Sequence, residues 1–144
     1  MPVELLYFSE LKKALDRKNI EFTGFFVKKF GVAYVIDVSR EKCSGCELQK
    51  PLFEKLSDNM KSKHGSRVEF TQVHARYSEK SREETMQCLD TFRTVAFPTY
   101  LICIRNHHGK NLETYRALEP PMSEIERNIK TAVELAVWFE SNRA

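Results

Sequence analysis

Cysteine, glycine, proline and long apolar runs are all scarce in this sequence. Its 144 residues include four cysteines, five glycines, five prolines and one tryptophan. So few cysteines exclude a small scaffold that is held together by many disulfides. No apolar run approaches the roughly 20 residues that a membrane-spanning helix needs, so we expect no membrane association.

An excess of charge of one sign is also lacking. The chain carries 23 Lys and Arg residues against 20 Asp and Glu residues, a formal net charge of +3. Basic and acidic residues alternate along the chain, and no dense basic stripe with interleaved aromatics occurs, so we expect no nucleic-acid partner. The first residues lack a basic region followed by a long apolar core. We therefore expect no secretory signal and a cytoplasmic location.

The pattern of apolar residues predicts one α/β domain over residues 1–144, a length that suits a single hydrophobic core. The predicted helices cover residues 2–19, 43–63, 81–94 and 123–139, and the predicted strands cover residues 32–38, 67–75, 95–104 and 111–118. Residues 20–30 predict a short strand or a helical turn. Strands joined by helices run parallel, whereas the last two strands form an antiparallel hairpin. We therefore predict a central mixed β-sheet with helices on both faces.

Two cysteines three residues apart lie between the first predicted strand and the helix that follows it. Residues at this spacing share a helix face, so Cys43 and Cys46 can close a small disulfide. The free N–H groups and the positive dipole end of a helix N-terminus favour a thiolate, which lowers the pKa of an exposed cysteine there. We therefore predict a thiol–disulfide redox site. The apolar spacing after the cysteines predicts a helix with one apolar side, formed by Leu48, Leu52, Phe53, Leu56 and Met60.

An acidic residue, Asp37, interrupts the apolar run of the first predicted strand. A carboxylate at this position lies either at a solvated strand end or in a buried, functional position. The cysteines that begin six residues later favour the second interpretation.

These features together resemble the thioredoxin-like superfamily, from about residue 22 to the C-terminus. Cys43-Ser44-Gly45-Cys46 stands at the place of the redox motif, and Pro51 matches the proline that kinks the active-site helix. Asp37 matches the buried acid of thioredoxins. Phe97-Pro98-Thr99 matches the cis-proline segment, and Gly109-Lys110 matches the glycine-containing turn of the final hairpin.

The resemblance implies a thioredoxin-like fold in which residues 1–20 form an extra N-terminal helix, a helical extension of the domain. It also implies an enzyme, a protein disulfide oxidoreductase that serves electron transport and cell redox homeostasis. Its partners are protein disulfides and a reductase or dithiol electron donor, and we expect a monomer without metal or cofactor.

The resemblance also implies a role for each site residue. Cys43, exposed at the helix N-terminus, attacks the substrate disulfide, and Cys46 resolves the mixed disulfide. Asp37 accepts the proton of Cys46. Phe97 and Pro98 bind the substrate backbone like an added strand, and Ser44 and Gly45 line the substrate site.

The sequence departs from the thioredoxin pattern at three places around the cysteines. Lys42 stands where thioredoxins carry tryptophan, and Ser44-Gly45 replaces Gly-Pro between the cysteines. Thioredoxins also place a lysine beside the buried acid, whereas the strand at residues 67–75 is expected to offer Phe70 and Thr71 there. The redox potential and the substrate are therefore left open.

Other interpretations of the same residues are weaker. Zinc needs four ligands, and the remaining cysteines, Cys88 and Cys103, are isolated on apolar faces, where we expect buried, inert thiols. A non-enzymatic binding or redox-sensing module is the alternative function, since the tryptophan and the Gly-Pro pair are absent. A disulfide oxidase or isomerase would need an oxidising compartment.

Overall fold

The computed structural model describes residues 3–144. The strands are β1 (Glu4–Tyr7), β2 (Ala33–Arg40), β3 (Val68–Ala75), β4 (Thr99–Arg105) and β5 (Asn111–Leu118). The helices are α1 (Phe8–Lys18), α2 (Phe22–Phe26), α3 (Ser44–His64), α4 (Glu83–Phe92) and α5 (Met122–Ser141), with a 3-10 turn at Gly65–Arg67.

The five strands form one mixed sheet in the order β1-β3-β2-β4-β5. Strands β1 and β2 both run parallel to β3, because helices carry the chain back between them. Strand β4 is antiparallel to β2, and β5 is antiparallel to β4. The predicted mixed sheet with parallel strands and a C-terminal antiparallel hairpin is confirmed.

Helices cover both faces of this sheet, because successive side chains of a buried strand point to opposite faces. Tyr34 and Ile36 of β2 belong to the apolar cluster that α1, α2 and α4 cover. Val35, between them, belongs to the cluster that α3 and α5 cover. The same alternation places Asp37 on the α3 face, which is the face of the cysteine-bearing helix.

The prediction that residues 2–19 form one helix is wrong at its start. Glu4–Tyr7 is a strand that pairs in parallel with β3, with Leu6 opposite Val73, and only α1 behind it is helical. Leu5, Leu6 and Phe8 fit either periodicity over so short a segment, and the open edge of β3 decides for the strand. The N-terminal segment is therefore not a purely helical extension. Residues 1 and 2, where the predicted helix began, lie outside the described residues.

The predicted apolar side of α3 is also wrong at two positions. Leu48 and Leu52 are 73% and 52% exposed, whereas Phe53 and Met60 are buried against the sheet. The helix begins at Ser44, and its packed face contains Cys46, Phe53, Leu56, Ser57 and Met60. The helix ends at Gly65, as predicted, and this glycine has a φ of 57°.

No helix within residues 3–144 combines the length and the apolar character that are needed to cross a bilayer.

Candidate active site

The two cysteines form a disulfide at the N-terminus of α3. Cys43 is the residue that caps the helix, and its Cα lies 5.2 Å from the Cα of Cys46. The Cys46 N–H donates a hydrogen bond to Cys43 Sγ at 3.2 Å, and the Glu47 N–H donates to the Cys43 carbonyl at 3.0 Å. The sulfur of Cys43 thus lies where a helix offers free N–H groups and the positive end of its dipole. This arrangement stabilises a negative charge on that sulfur once the disulfide is reduced.

The expectation that Cys43 is exposed is wrong for this disulfide form. Cys43 is only 8% exposed and Cys46 only 5%. In this form the Cys43 sulfur is bonded to Cys46 and accepts the Cys46 N–H, so it lies against the first turn of α3 and not in solvent. Ser44, between the cysteines, is exposed, and Gly45 is half-buried.

The sheet topology brings the Phe97-Pro98 segment to the cysteines. The cysteines follow the end of β2, and Pro98 precedes the start of β4. These two strands are antiparallel, with Val38 opposite Thr99, so that end and that start lie at the same edge of the sheet. The Phe97–Pro98 peptide bond is cis, Pro98 is buried and Phe97 is half-buried.

Gly45 of the redox motif lies beside both Pro98 and Glu119. A Cβ atom at Gly45 would lie 3.4 Å from Pro98 Cδ and would overlap the Glu119 carboxylate. The Pro98 carbonyl is already used, since it accepts a hydrogen bond from the Glu119 N–H at 3.0 Å. Within residues 3–144 the Phe97 N–H and C=O form no backbone hydrogen bond. Both groups therefore lack a backbone partner among the described residues.

Asp37 is buried on the α3 face of β2, which excludes the solvated strand end. It is 1% exposed, and burial raises its pKa from the ordinary 3.8 to about 6 because desolvation penalises the carboxylate. Two hydrogen bonds oppose this shift. Ser39 Oγ donates to Asp37 Oδ1 at 2.6 Å, and Gln72 Nε2 donates to Asp37 Oδ2 at 3.1 Å.

Ser39 and Gln72 are partners of this acid that motif spacing does not predict. The prediction that Phe70 and Thr71 lie beside Asp37 is wrong, because the parallel register of β2 and β3 sets Asp37 opposite Gln72. Phe70 lies opposite Val35 instead, and Thr71 lies opposite Ile36. One signal in the sequence did point to Gln72, because period-2 alternation assigns it to the same buried face as Val68 and Phe70.

A cleft of about 380 Å³ opens beside Cys46. Ser39 and Gln72 line this cleft together with His74 and the charged residues Lys42 and Lys50. The two hydrogen-bond partners of Asp37 and the inner cysteine therefore line one cleft.

Removing either partner of Asp37 is expected to raise its pKa further. Gln72→Leu and Ser39→Ala each delete a donor that stabilises the ionised carboxylate, so the midpoint of its titration should move upward by about one pH unit. Carbon-13 NMR of the Asp37 carboxyl in the oxidised protein measures this directly. Thr71→Val, on the same strand, is the matched control and should leave the midpoint unchanged. A fixed midpoint in both variants would show that the hydrogen bonds do not tune the acid.

The other two cysteines are buried in the core, as predicted. Cys88 and Cys103 are fully buried free thiols, and burial raises the pKa of each to about 12. Thiols that stay protonated are poor nucleophiles. Across residues 3–144, no group of three or more His, Cys, Asp and Glu side chains is placed to hold a metal ion.

Comparison with known proteins finds similar structures but no similar sequences. No protein-family profile and no curated protein sequence matches the chain. Thioredoxin NaTrxh from Nicotiana alata matches over 91% of this chain and 94% of its own, with a TM-score of 0.58 and 20% sequence identity. Trichomonas vaginalis thioredoxin matches over 91% and 97%, with a TM-score of 0.59 and 10% identity. Malassezia sympodialis thioredoxin matches over 92% and 95%, with a TM-score of 0.56 and 20% identity.

This chain has the thioredoxin fold. Within that fold the chain carries its disulfide at the start of α3, after β2, and its cis-proline directly before β4. The predicted thioredoxin-like architecture is confirmed. At identities of 10–20%, the likeness concerns the fold.

Proposed function

We propose that this protein is a thiol–disulfide oxidoreductase that reduces protein disulfides. The thioredoxin fold together with a Cys-x-x-Cys pair supports this chemistry in general terms. One observation carries the proposal further, namely a disulfide at a helix N-terminus next to a proline segment whose Phe97 backbone groups are unused.

The reaction begins with reduced protein. The Cys43 thiolate attacks one sulfur of the substrate disulfide, that disulfide bond breaks, and its other sulfur leaves as a thiolate that takes up a proton. A mixed disulfide between Cys43 and the substrate remains. The Cys43 position favours this step, because the Cys46 N–H donates to its sulfur and the helix dipole stabilises the thiolate.

The second step releases the substrate. The Cys46 thiol gives its proton to the Asp37 carboxylate, and the resulting thiolate attacks Cys43 Sγ. The mixed disulfide breaks, the second substrate sulfur leaves and takes up a proton, and the Cys43–Cys46 disulfide forms. Two electrons have then passed from the protein to the substrate. A reductase or an external dithiol returns them.

The substrate site is formed by the proline segment and the residues between the cysteines. An extended substrate chain pairs with the free Phe97 N–H and C=O as an added strand. Pro98 packs against the first turn of α3, and exposed Ser44 and half-buried Gly45 border the same place. We propose the cytoplasm as the compartment, because a reductase needs reducing surroundings.

Two measurements test this function together. The midpoint potential of the Cys43–Cys46 couple should lie near about −270 mV, whereas a value of about −120 to −180 mV would indicate an oxidase or isomerase. With dithiothreitol as donor, the protein should reduce insulin disulfides over many turnovers. A redox sensor would oxidise and reduce once without passing electrons on. Stoichiometric retained zinc without any disulfide would overturn the redox function.

A further inference from the structure

Three basic side chains surround one tyrosine ring beside the redox motif. The charged groups of Arg40, Arg82 and Lys42 lie 4.5, 5.8 and 5.9 Å from the centroid of the Tyr77 ring. We call these four residues the Tyr77 cation cluster. Each cation is attracted to the face of the ring, but three like charges around one ring also repel one another.

Arg40 of the cluster contacts the loop before Cys43 and lies near Phe97, the two sides of the proposed substrate site. The Arg40 guanidinium donates to the carbonyls of Glu41 and Lys42 at 3.0 and 3.1 Å, which holds the loop that leads into Cys43. The same guanidinium lies 5.7 Å from the Phe97 ring centroid. A substrate strand that pairs with Phe97 therefore passes close to Arg40, the cation through which the cluster adjoins the proline segment.

Two carboxylates of neighbouring segments, those of Glu41 and Glu84, accept hydrogen bonds from other groups. Glu41 Oε1 accepts the Tyr77 N–H at 2.9 Å, and Glu84 accepts the Arg76 N–H at 2.6 Å and also pairs with the Arg76 side chain at 3.5 Å. Within the part of the chain that the structure describes, Arg40, Lys42 and Arg82 form no salt bridge. A carboxylate supplied from outside would relieve the repulsion among them and gain charge-assisted hydrogen bonds.

We propose that the Tyr77 cation cluster binds an acidic segment of the protein substrate, so that disulfides flanked by Asp or Glu are preferred. This inference rests on the proposed function, because it assumes that a substrate chain lies along Phe97. The cluster adds charge selection to backbone pairing, which by itself reads no sequence.

Three synthetic peptides test the preference. Each is a disulfide-linked homodimer of one ten-residue sequence with a single cysteine, flanked on both sides by Glu, Gln or Lys. Flanking charge changes the reactivity of any disulfide, so each kcat/KM is divided by the rate constant for dithiothreitol with the same peptide. We expect the Glu peptide to exceed the Gln peptide by about tenfold at low salt, with the Lys peptide lowest. The preference should shrink as ionic strength rises, because salt screens exposed charges.

A pair of variants locates the effect. Arg82→Gln should reduce the Glu-to-Gln ratio by about threefold, since it removes one exposed charge of the cluster. Arg143→Gln is the matched control, because Arg143 likewise lies over an aromatic ring, 4.8 Å from the Phe30 centroid. Phe30 adjoins Gly109 in the β4–β5 turn, at the other end of β4 from Pro98. The control should keep the full ratio.

The outcomes separate this inference from the proposed function. Reduction of all three peptides at equal normalised rates, or an unchanged ratio in Arg82→Gln, would overturn the charge selection alone. An equal loss in Arg143→Gln would also overturn it, since the effect would then reflect net charge. Failure to reduce any of the peptides or insulin would overturn the reductase function, and this inference with it.

Discussion

Cys43→Ser is expected to lower the turnover of protein disulfides by at least about a thousandfold. The serine hydroxyl is not ionised at neutral pH, so the helix N-terminus has no thiolate to stabilise and no nucleophile remains. Cys46 lies inside the first turn of α3, whereas Cys43 is the capping residue whose sulfur accepts the Cys46 N–H, so we expect Cys46 not to take over the attack. Insulin reduction with dithiothreitol as donor measures the loss.

Cys46→Ser is expected to behave differently from Cys43→Ser. Cys43 still attacks, but no second thiol resolves the product, so a mixed disulfide with the substrate accumulates. Intact-mass spectrometry after acid quenching should show this adduct in Cys46→Ser and not in Cys43→Ser. An adduct trapped equally in both variants would assign the attack to another group.

The two buried thiols provide the control for these variants. Cys88→Ala and Cys103→Ala should keep turnover near that of the natural chain, because both thiols are protonated in the core. Each substitution removes only one core atom and should cost about 1 kcal/mol of stability. Loss of turnover in either variant while it stays folded would contradict the assignment of the chemistry to Cys43 and Cys46.

Asp37→Asn is expected to stabilise the oxidised protein at pH 8 by about 3 kcal/mol relative to its effect at acid pH. The sign follows from the direction of the pKa shift. Below pH 3.8 the acid is protonated in both the folded and the unfolded chain, so it costs nothing. Between pH 3.8 and about 6 the unfolded chain releases the proton while the folded chain keeps it, and stability falls as pH rises. Above about 6 the folded protein carries the full cost of a buried carboxylate, which asparagine avoids.

Urea unfolding of the oxidised protein at pH 4 and pH 8 measures this difference. The pH-dependent gain of Asp37→Asn should fall to well under 1 kcal/mol at pH 4. Asp58→Asn, at an exposed position on α3, is the matched control and should show little change at either pH. An equal gain at both pH values would mean that the effect comes from packing and not from ionisation.

The same variant should be a slower enzyme. Without a carboxylate to accept the proton of Cys46, resolution of the mixed disulfide is expected to slow by about a hundredfold, while the first attack by Cys43 is unaffected. Stopped-flow kinetics with acid quenching separates the two steps. Slowing of the first step alone would place Asp37 in a different role.

Local pattern in the sequence was sufficient for the fold class and for the redox pair. Continuous apolar runs identify β2 and β4, and a pair of cysteines between a strand and a helix places the disulfide at a helix N-terminus. Cys43, Cys46 and Pro98 each depend on neighbours close in sequence, so motif spacing can find them. For Asp37 the sequence allowed two interpretations, a solvated strand end or a buried position. The nearby cysteines favoured the buried position, which the structure confirms.

Contacts between distant segments needed the tertiary structure. Glu4–Tyr7 fits a helical pattern by itself and becomes a strand because β3 has an open edge. Gln72 faces Asp37 because of the parallel register between β2 and β3, which a single strand does not specify. The Tyr77 cation cluster joins three separate segments around one ring, at Arg40 and Lys42, at Tyr77 and at Arg82. Sequence thus determined the fold class and the position of the cysteine pair, whereas packing between segments decided what surrounds the cysteines and Asp37, because burial and partner charge are properties of neighbours in space.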